Sequence, residues 1–201
     1  MIVPTLLSGR LRLEPISIHH SAGMFRLWSN AAVCEFSGPI SDSEGNPIES
    51  PVRRTADSDK IIEFWERASD GGWGFRWAIT HRQSEVFVGT AGFNSLGTCS
   101  EYAYHLHPDH WQRGYMSEAT AAALDWLRNS DRSDEIEVFI APLNVRSIAF
   151  AERHGFHSTG EESDGAVRYL KRSSKSPTRP AAWAGAAGAE QARAPVVGGS
   201  W

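Results

Sequence analysis

Polar and apolar residues alternate through Arg10-Leu-Arg-Leu13, placing Leu11 and Leu13 on one face of a half-buried strand. Over residues 17–29 the period changes: Ile18, Ala22, Phe25 and Leu27–Trp28 recur at helical intervals. Residues 38–59 lose any apolar period and are rich in Ser, Asp, Pro and Gly, which predicts a long loop. Residues 61–68 predict a helix, with Asp57 and Ser58 as capping candidates. Trp77-Ala-Ile79 and Val86-Phe-Val88 flank the polar His81-Arg-Gln-Ser-Glu85 as arms of a hairpin. Gly89-Thr-Ala-Gly92 continues the second arm with residues that permit a bend or close backbone approach. Further strands are expected over 101–107, 136–141 and 167–170, and helices over 117–129 and 144–154. Strands first, then strand–helix–strand–helix, specify an α/β (α+β) sheet with at least one parallel crossover.

The last stretch, 173–201, differs. Ala, Gly and Pro supply about half its positions without a period, so it cannot bury enough surface to offset its ordering entropy. It is expected to be a disordered tail, which leaves 1–172 as one folded domain.

Composition narrows the classes. Hydrophobic residues make up 41% of the 201, enough for a core. Twenty Lys and Arg against 24 Asp and Glu leave a net charge of −4, which gives no support to nucleic-acid binding. No apolar run approaches the ~18–20 residues of a membrane span, and the N-terminus lacks a secretory pattern. Two cysteines, Cys34 and Cys99, make no disulfide framework. A cytoplasmic protein is expected, monomeric or homodimeric, with no membrane partner.

The informative stretch is His107-Pro-Asp-His-Trp-Gln-Arg-Gly-Tyr-Met-Ser-Glu-Ala119: a strand end, a loop containing Gly114, and the start of an Ala-rich helix. Backbone N–H groups at a helix start are unpaired and lie at the positive end of the dipole, which suits a phosphate. Arg113 would add charge at the rim. Taken alone, the stretch is equally an ordinary strand–turn–helix. It is neither a Walker loop nor a dinucleotide fingerprint. Downstream, Asn144 sits where an N-cap belongs, Gly155 where a left-handed C-terminal residue belongs, and Phe156 folds back as the accompanying apolar contact. Capping alone accounts for Asn144.

His105, His107 and His110 have the look of a metal cluster, but no carboxylate or Cys completes a zinc set, so no metal is expected. His105 or His107 is instead a second candidate for deprotonating an amine. Trp28, Trp65, Trp73 and Trp77 read as packing groups, while the turn Asp70-Gly-Gly-Trp-Gly74 is a candidate to shape an acceptor site.

In combination, Trp111-Gln-Arg-Gly-Tyr-Met-Ser-Glu-Ala119, Arg10-Leu-Arg-Leu13, Val88-Gly-Thr-Ala-Gly92, Glu101-Tyr-Ala-Tyr104 and the Asn144–Ser147–Gly155–Phe156 spacing carry a resemblance. Over about residues 5–172 the chain resembles the GNAT superfamily of N-acetyltransferases, in the branch of the RimJ/RimL-like ribosomal-protein N-acetyltransferases. The resemblance implies a mixed, mostly antiparallel sheet flanked by helices, with two central parallel strands splayed to admit acetyl-CoA as cosubstrate. It implies that the pantetheine arm pairs with the backbone near Tyr104, His105 and Leu106. The pyrophosphate would rest on the N–H groups of Gln112, Arg113, Gly114, Tyr115, Met116 and Ser117, and Asn144 would meet the coenzyme near its thioester. The chain departs from the family at Met116, where Gly or Ala is usual, at Ala103, which replaces a Gly, and at Ala151, where many members carry a Tyr as general acid.

Acyl transfer needs an amine freed of its proton and a thiolate that can leave. Glu101, heading the strand beside the coenzyme, is expected as general base acting through water, and Ser147 as acid. Each has a plainer reading, a solvated strand-end carboxylate and a helix hydroxyl bonded back one turn. The acceptor, a protein N-terminus or a small amine, is expected between the early helices and the 38–59 loop. The rival functions are a catalytically inactive acyl-CoA-binding regulatory module and a metal-dependent hydrolase built on the histidines.

Overall fold

The structure is a computed structural model that describes residues 1–130 and 133–172; the tail expected over 173–201 lies outside the described residues. The strands run β1 (Leu6–Leu7), β2 (Leu11–Pro15), β3 (Ile40–Ser41), β4 (Pro47–Ile48), β5 (Phe75–His81), β6 (Phe87–Ser95), β7 (Cys99–Leu106), β8 (Glu135–Ile140), β9 (His157–Ser163) and β10 (Ala166–Arg172). The helices are α1 (Ser21–Trp28), α2 (Ala31–Cys34), α3 (Thr55–Gly71), α4 (Tyr115–Asn129) and α5 (Val145–Arg153). Eight strands form one sheet in the order β1-β2-β5-β6-β7-β8-β10-β9, and β3 and β4 form a separate hairpin.

Every neighbouring pair in the large sheet is antiparallel except β7 and β8. That parallel pair is joined only where Cys99, Ser100 and Glu101 face Glu135, Ile136 and Glu137. Beyond this short register the strands part. From Tyr102 onward β7 pairs only with β6 on its other side, and β8 only with β10. The result is a V, closed at Glu101 and open toward Leu106, as the splayed-strand expectation requires.

Each face of the sheet has its own core. Leu11, Leu13, Phe75, Trp77, Phe93, Tyr102 and Tyr104 pack beneath α4 and α5, and Trp28, Ile61, Ile62, Trp65 and Ala78 pack beneath α1 and α3. Strand alternation produces the division, since neighbours in one strand point to opposite faces. Gly89 and Gly92 are there for proximity: a Cβ would lie 2.1 Å from the His105 carbonyl oxygen or 2.2 Å from that of Phe75.

Three expectations need correction. The 38–59 loop contains the β3–β4 hairpin and ends early, because α3 begins at Thr55. Asp57 and Ser58 therefore sit inside the first turn of α3, where Asp57 accepts from Arg54 and the Ser58 hydroxyl donates to the Thr55 carbonyl. That turn is largely solvent-facing, so its sequence carries no apolar period. β9 also went unpredicted; six of its seven residues are exposed, and an edge strand of that kind leaves no alternation to read.

Candidate active site

Helix α4 starts on Gly114, whose φ of +75° is left-handed, and Gln112 two residues earlier is left-handed too, at φ +60°. The first amide of the helix with a backbone partner is that of Glu118, which donates to the Gly114 carbonyl at 3.1 Å. Among the described residues the amides of Gln112, Arg113, Gly114, Tyr115, Met116 and Ser117 have no acceptor. Six donors are thus gathered at the positive end of a 15-residue helix.

A cleft of about 550 Å³ opens beside this turn, lined by Leu106, Trp111, Gln112, Met116, Val145, Arg146, Ala149, Phe150 and Arg153. It joins the open end of the V to the outer face of α5. Arg146, Ala149, Phe150 and Arg153 follow i, i+3, i+4, i+7 spacing, so one helix face supplies two cations and an apolar floor. That spacing was legible, and reading α5 only as a well-capped helix missed it. Trp111 partitions the space: its indole donates to the Leu106 carbonyl at 2.8 Å, and the Arg146 guanidinium stacks 4.7 Å from its ring. A second hollow of about 350 Å³ lies beyond it, between Ala32 of α2, with Glu35 and Phe36 just after that helix, and residues 143–146. Of the elements expected to flank the acceptor, α2 lines this hollow and no residue of 38–59 does.

Arg10 ties the turn before α4 to the sheet. The Glu118 carboxylate accepts from the Ser8 hydroxyl (2.7 Å), the Arg10 amide (2.6 Å) and Arg10 Nε (2.7 Å), while Arg10 Nη1 donates to the Arg113 carbonyl (3.0 Å). Partial burial opposes ionisation of Glu118, but these donors outweigh it and hold the carboxyl below its ordinary range. Two motifs distant in sequence, at residues 10–13 and 111–119, therefore form one clasp.

At the closed end of the V stands Glu101, half-buried, in register with Glu137. Asn94 Nδ2 donates to Glu101 Oε1, and Arg76 Nη2 donates to Asn94 Oδ1. Arg76 is 2% exposed; burial drives its guanidinium down to about 9, opposed by the Glu101 charge. Further along the same face, His105 is buried against Trp28, with ring centroids 4.8 Å apart. Both of its ring nitrogens lack a partner among the described residues, and burial followed by the Arg76 charge pushes it down to about 3.

The other expected residues fall as follows. Asn144 is buried and caps α5, its side chain accepting from the Ser147 amide at 3.1 Å, and it also lines the second hollow. Met116 turns into the core at one wall of the cleft rather than across the turn. Ser147 is fully buried, and its hydroxyl pairs with that of Tyr104 at 2.8 Å. The Tyr104 side chain likewise belongs to the core, and the Leu106 carbonyl is already bonded to Trp111. Arg113 is exposed at the rim. The Asp70–Gly74 turn closes α3 near the β6–β7 connection, at the opposite end of the sheet from the cleft. Among the described residues no three His, Cys, Asp or Glu side chains come together as a metal set, and no helix is long and apolar enough to cross a membrane.

Comparison with known proteins bears on this geometry. The acetyltransferase (GNAT) domain model matches residues 10–157. An uncharacterized N-acetyltransferase, p20, from Bacillus licheniformis is 24% identical over 159 residues, covering 78% of this chain and 84% of that protein. The structure of RimL, a ribosomal L7/L12 alpha-N-protein acetyltransferase in complex with coenzyme A, superposes with a TM-score of 0.70 at 17% identity, over 84% of this chain and 98% of that one. The microcin C7 self immunity acetyltransferase MccE, in complex with acetyl-CoA and AMP, gives 0.67 at 16% identity, over 82% and 93%.

Proposed function

The chain belongs to the GNAT acetyltransferase family, and on that premise we propose that it transfers the acetyl group of acetyl-CoA to a primary amine, either a protein N-terminus or a small molecule. One observation carries the reading: six unpartnered amides at the start of α4 stand at the mouth of the V, beside a cleft with two arginines. The fit is chemical as well as spatial, because a diphosphate needs several convergent donors and positive charge. The amides of residues 112–117 hold the diphosphate, Arg146 and Arg153 add charge, and Ala149 and Phe150 give the coenzyme an apolar bed. The backbone edge of β7 left open from Tyr102 guides the pantetheine arm toward the apex. What acetyl-CoA supplies is an activated thioester carbonyl.

Glu101 stands roughly 16 Å back from Leu106 at ~3.3 Å per strand residue, at the point where the strands close. There it takes the proton of the attacking amine, through water, a contribution of ~10²–10⁴-fold. A thiolate with a pKa near ~8.5 leaves without a strong acid, and the inward-turned Ser147 has no part in that step. Met116 and Ala151 favoured the rival, an inactive acyl-CoA-binding module; both side chains are buried in the core, so neither obstructs the turn.

The test is thiol release from acetyl-CoA by the purified protein across a panel of small amines and peptides with free N-termini, with mass spectrometry of the products. Acetylated amine is the expected result. Heat stabilisation by coenzyme A without thiol release would leave the binding module standing, and loss of activity on chelation would favour the hydrolase.

A further inference from the structure

The mechanism above uses Glu101 but leaves unexplained what lies behind it. A guanidinium buried in an apolar layer is costly unless paired, and an apolar replacement of similar size is often the more stable choice. Arg76 nonetheless interrupts the apolar strand β5 and is 2% exposed, its guanidinium 3.8 Å over the Trp65 ring and its Nη1 donating to the Phe75 carbonyl at 3.2 Å. Asn94, 4% exposed, links it to Glu101. Its place there is made by a bulge: Phe93 pairs with Tyr102 and Ser95 with Glu101, so Asn94 is the extra residue of β6. Small residues clear the route, since Gly92 and Ala103 stand between the longer side chains on this face.

Resting on the assignment of Glu101 as base, we infer that Arg76 and Asn94 are positioning residues for acetyl transfer, Asn94 aiming the Glu101 carboxylate and Arg76 fixing Asn94 while supplying the buried counter-charge. An amide has one acceptor and one donor end. With the acceptor end taken by a cation, only the donor end can face the carboxylate, so the orientation of Asn94 is determined. The relay is also isolated. Facing Glu101 are Arg76 from β5, Glu137 from β8 with Arg168 of β10 bonded to it, and His105 on β7 itself. From α3 come the apolar Trp65 and, on the far side of Arg76, Glu66 and Asp70. No second cation among these is as deeply buried as Arg76.

The experiment compares Asn94→Ala, Asn94→Gln and Arg76→Lys with the unaltered protein. It measures kcat, kcat/KM against pH by thiol release with an amine acceptor, and coenzyme A affinity by calorimetry. Asn94→Ala should lower kcat about 10- to 100-fold and move the acidic limb of kcat/KM upward by about one pH unit, because the carboxylate loses a donor. Coenzyme A affinity should stay within about twofold, since the cleft is at the other end of the V. Asn94→Gln, which keeps the amide, should preserve the limb while lowering kcat, and it serves if the alanine variant does not fold. Arg76→Lys keeps the charge and loses the planar fork, and should fall between the two. An unmoved limb and unchanged kcat in Asn94→Ala, or an unmoved limb in folded Arg76→Lys with full activity, would overturn the relay while Glu101→Gln still abolished turnover. A fully active Glu101→Gln would instead remove the base assignment beneath it.

Discussion

The two faces of the sheet treat their buried polar groups in opposite ways. Beneath α4 and α5 the hydroxyls close on each other in pairs, Tyr102 with Thr120 at 2.9 Å and Tyr104 with Ser147 at 2.8 Å. Every such group is answered within the core, and the face is built for packing. Beneath α1 and α3 one set of polar groups forms a line rather than a pair. It runs from Arg76 through Asn94 to the half-buried Glu101, with His105 further along and unpartnered at both nitrogens among the described residues. Polar groups answered in pairs mark structure, and the line that ends at a partly exposed carboxylate is the one the proposed mechanism draws on.

The largest expected break in this contrast is Glu101→Gln, which should lower turnover by ~10²–10⁴-fold with coenzyme affinity preserved. Comparison of kcat with the calorimetric Kd checks it, and parallel loss of both would place Glu101 in the fold rather than the reaction. Next is Gly114→Asp, which combines a side chain at φ +75° with a carboxylate where the proposed function puts the diphosphate; coenzyme A affinity should fall at least ~10-fold. Gly114→Ala carries the backbone penalty alone and separates the two causes. A third prediction concerns pH. His105 is pushed from 6.5 to about 3, so the unfolded chain binds a proton that the folded one refuses. Stability should therefore fall as pH drops below about 6.5, by up to ~1.4 kcal/mol per unit, before the carboxylates begin to titrate. His105→Leu should flatten the slope of thermal stability between about pH 6.5 and 4.5. The smallest effect belongs to the packing face. Tyr104→Phe strands the Ser147 hydroxyl and should cost ~1–2 kcal/mol in urea unfolding, with kcat within about threefold of the unaltered protein. A large fall in kcat there would return Ser147 to the acid role.

The elements around the turn before α4 were readable because their signals are local. Gly114, the cap Asn144 and the αL Gly155 with Phe156 behind it each obey rules spanning one or two helical turns, and the Phe156 amide does bond to the Ala151 carbonyl at 3.0 Å. The V itself followed from resemblance rather than from periodicity. Harder to read were contacts made by topology: nothing near Arg10 announces Glu118, and nothing near Glu101 announces Asn94, which depends on a bulge. A weak signal was nevertheless present. Arg76 interrupts the apolar run from Phe75 to Ile79, and a charge in such a run requires a partner. The partner of Ser147 was hidden for a related reason, since spacing along α5 says nothing about which neighbour will take its hydroxyl.

The clasp of Arg10 on Glu118 has an evolutionary reading. An acid in the first turn of α4 sets a negative charge beside the open amide donors, and it is tolerable there because a cation 108 positions away cancels it. Neither residue can drift alone without either exposing that charge or freeing the turn. Lineages should therefore exchange the two together, and a chain altered at one position alone should hold the start of α4 less firmly against the sheet.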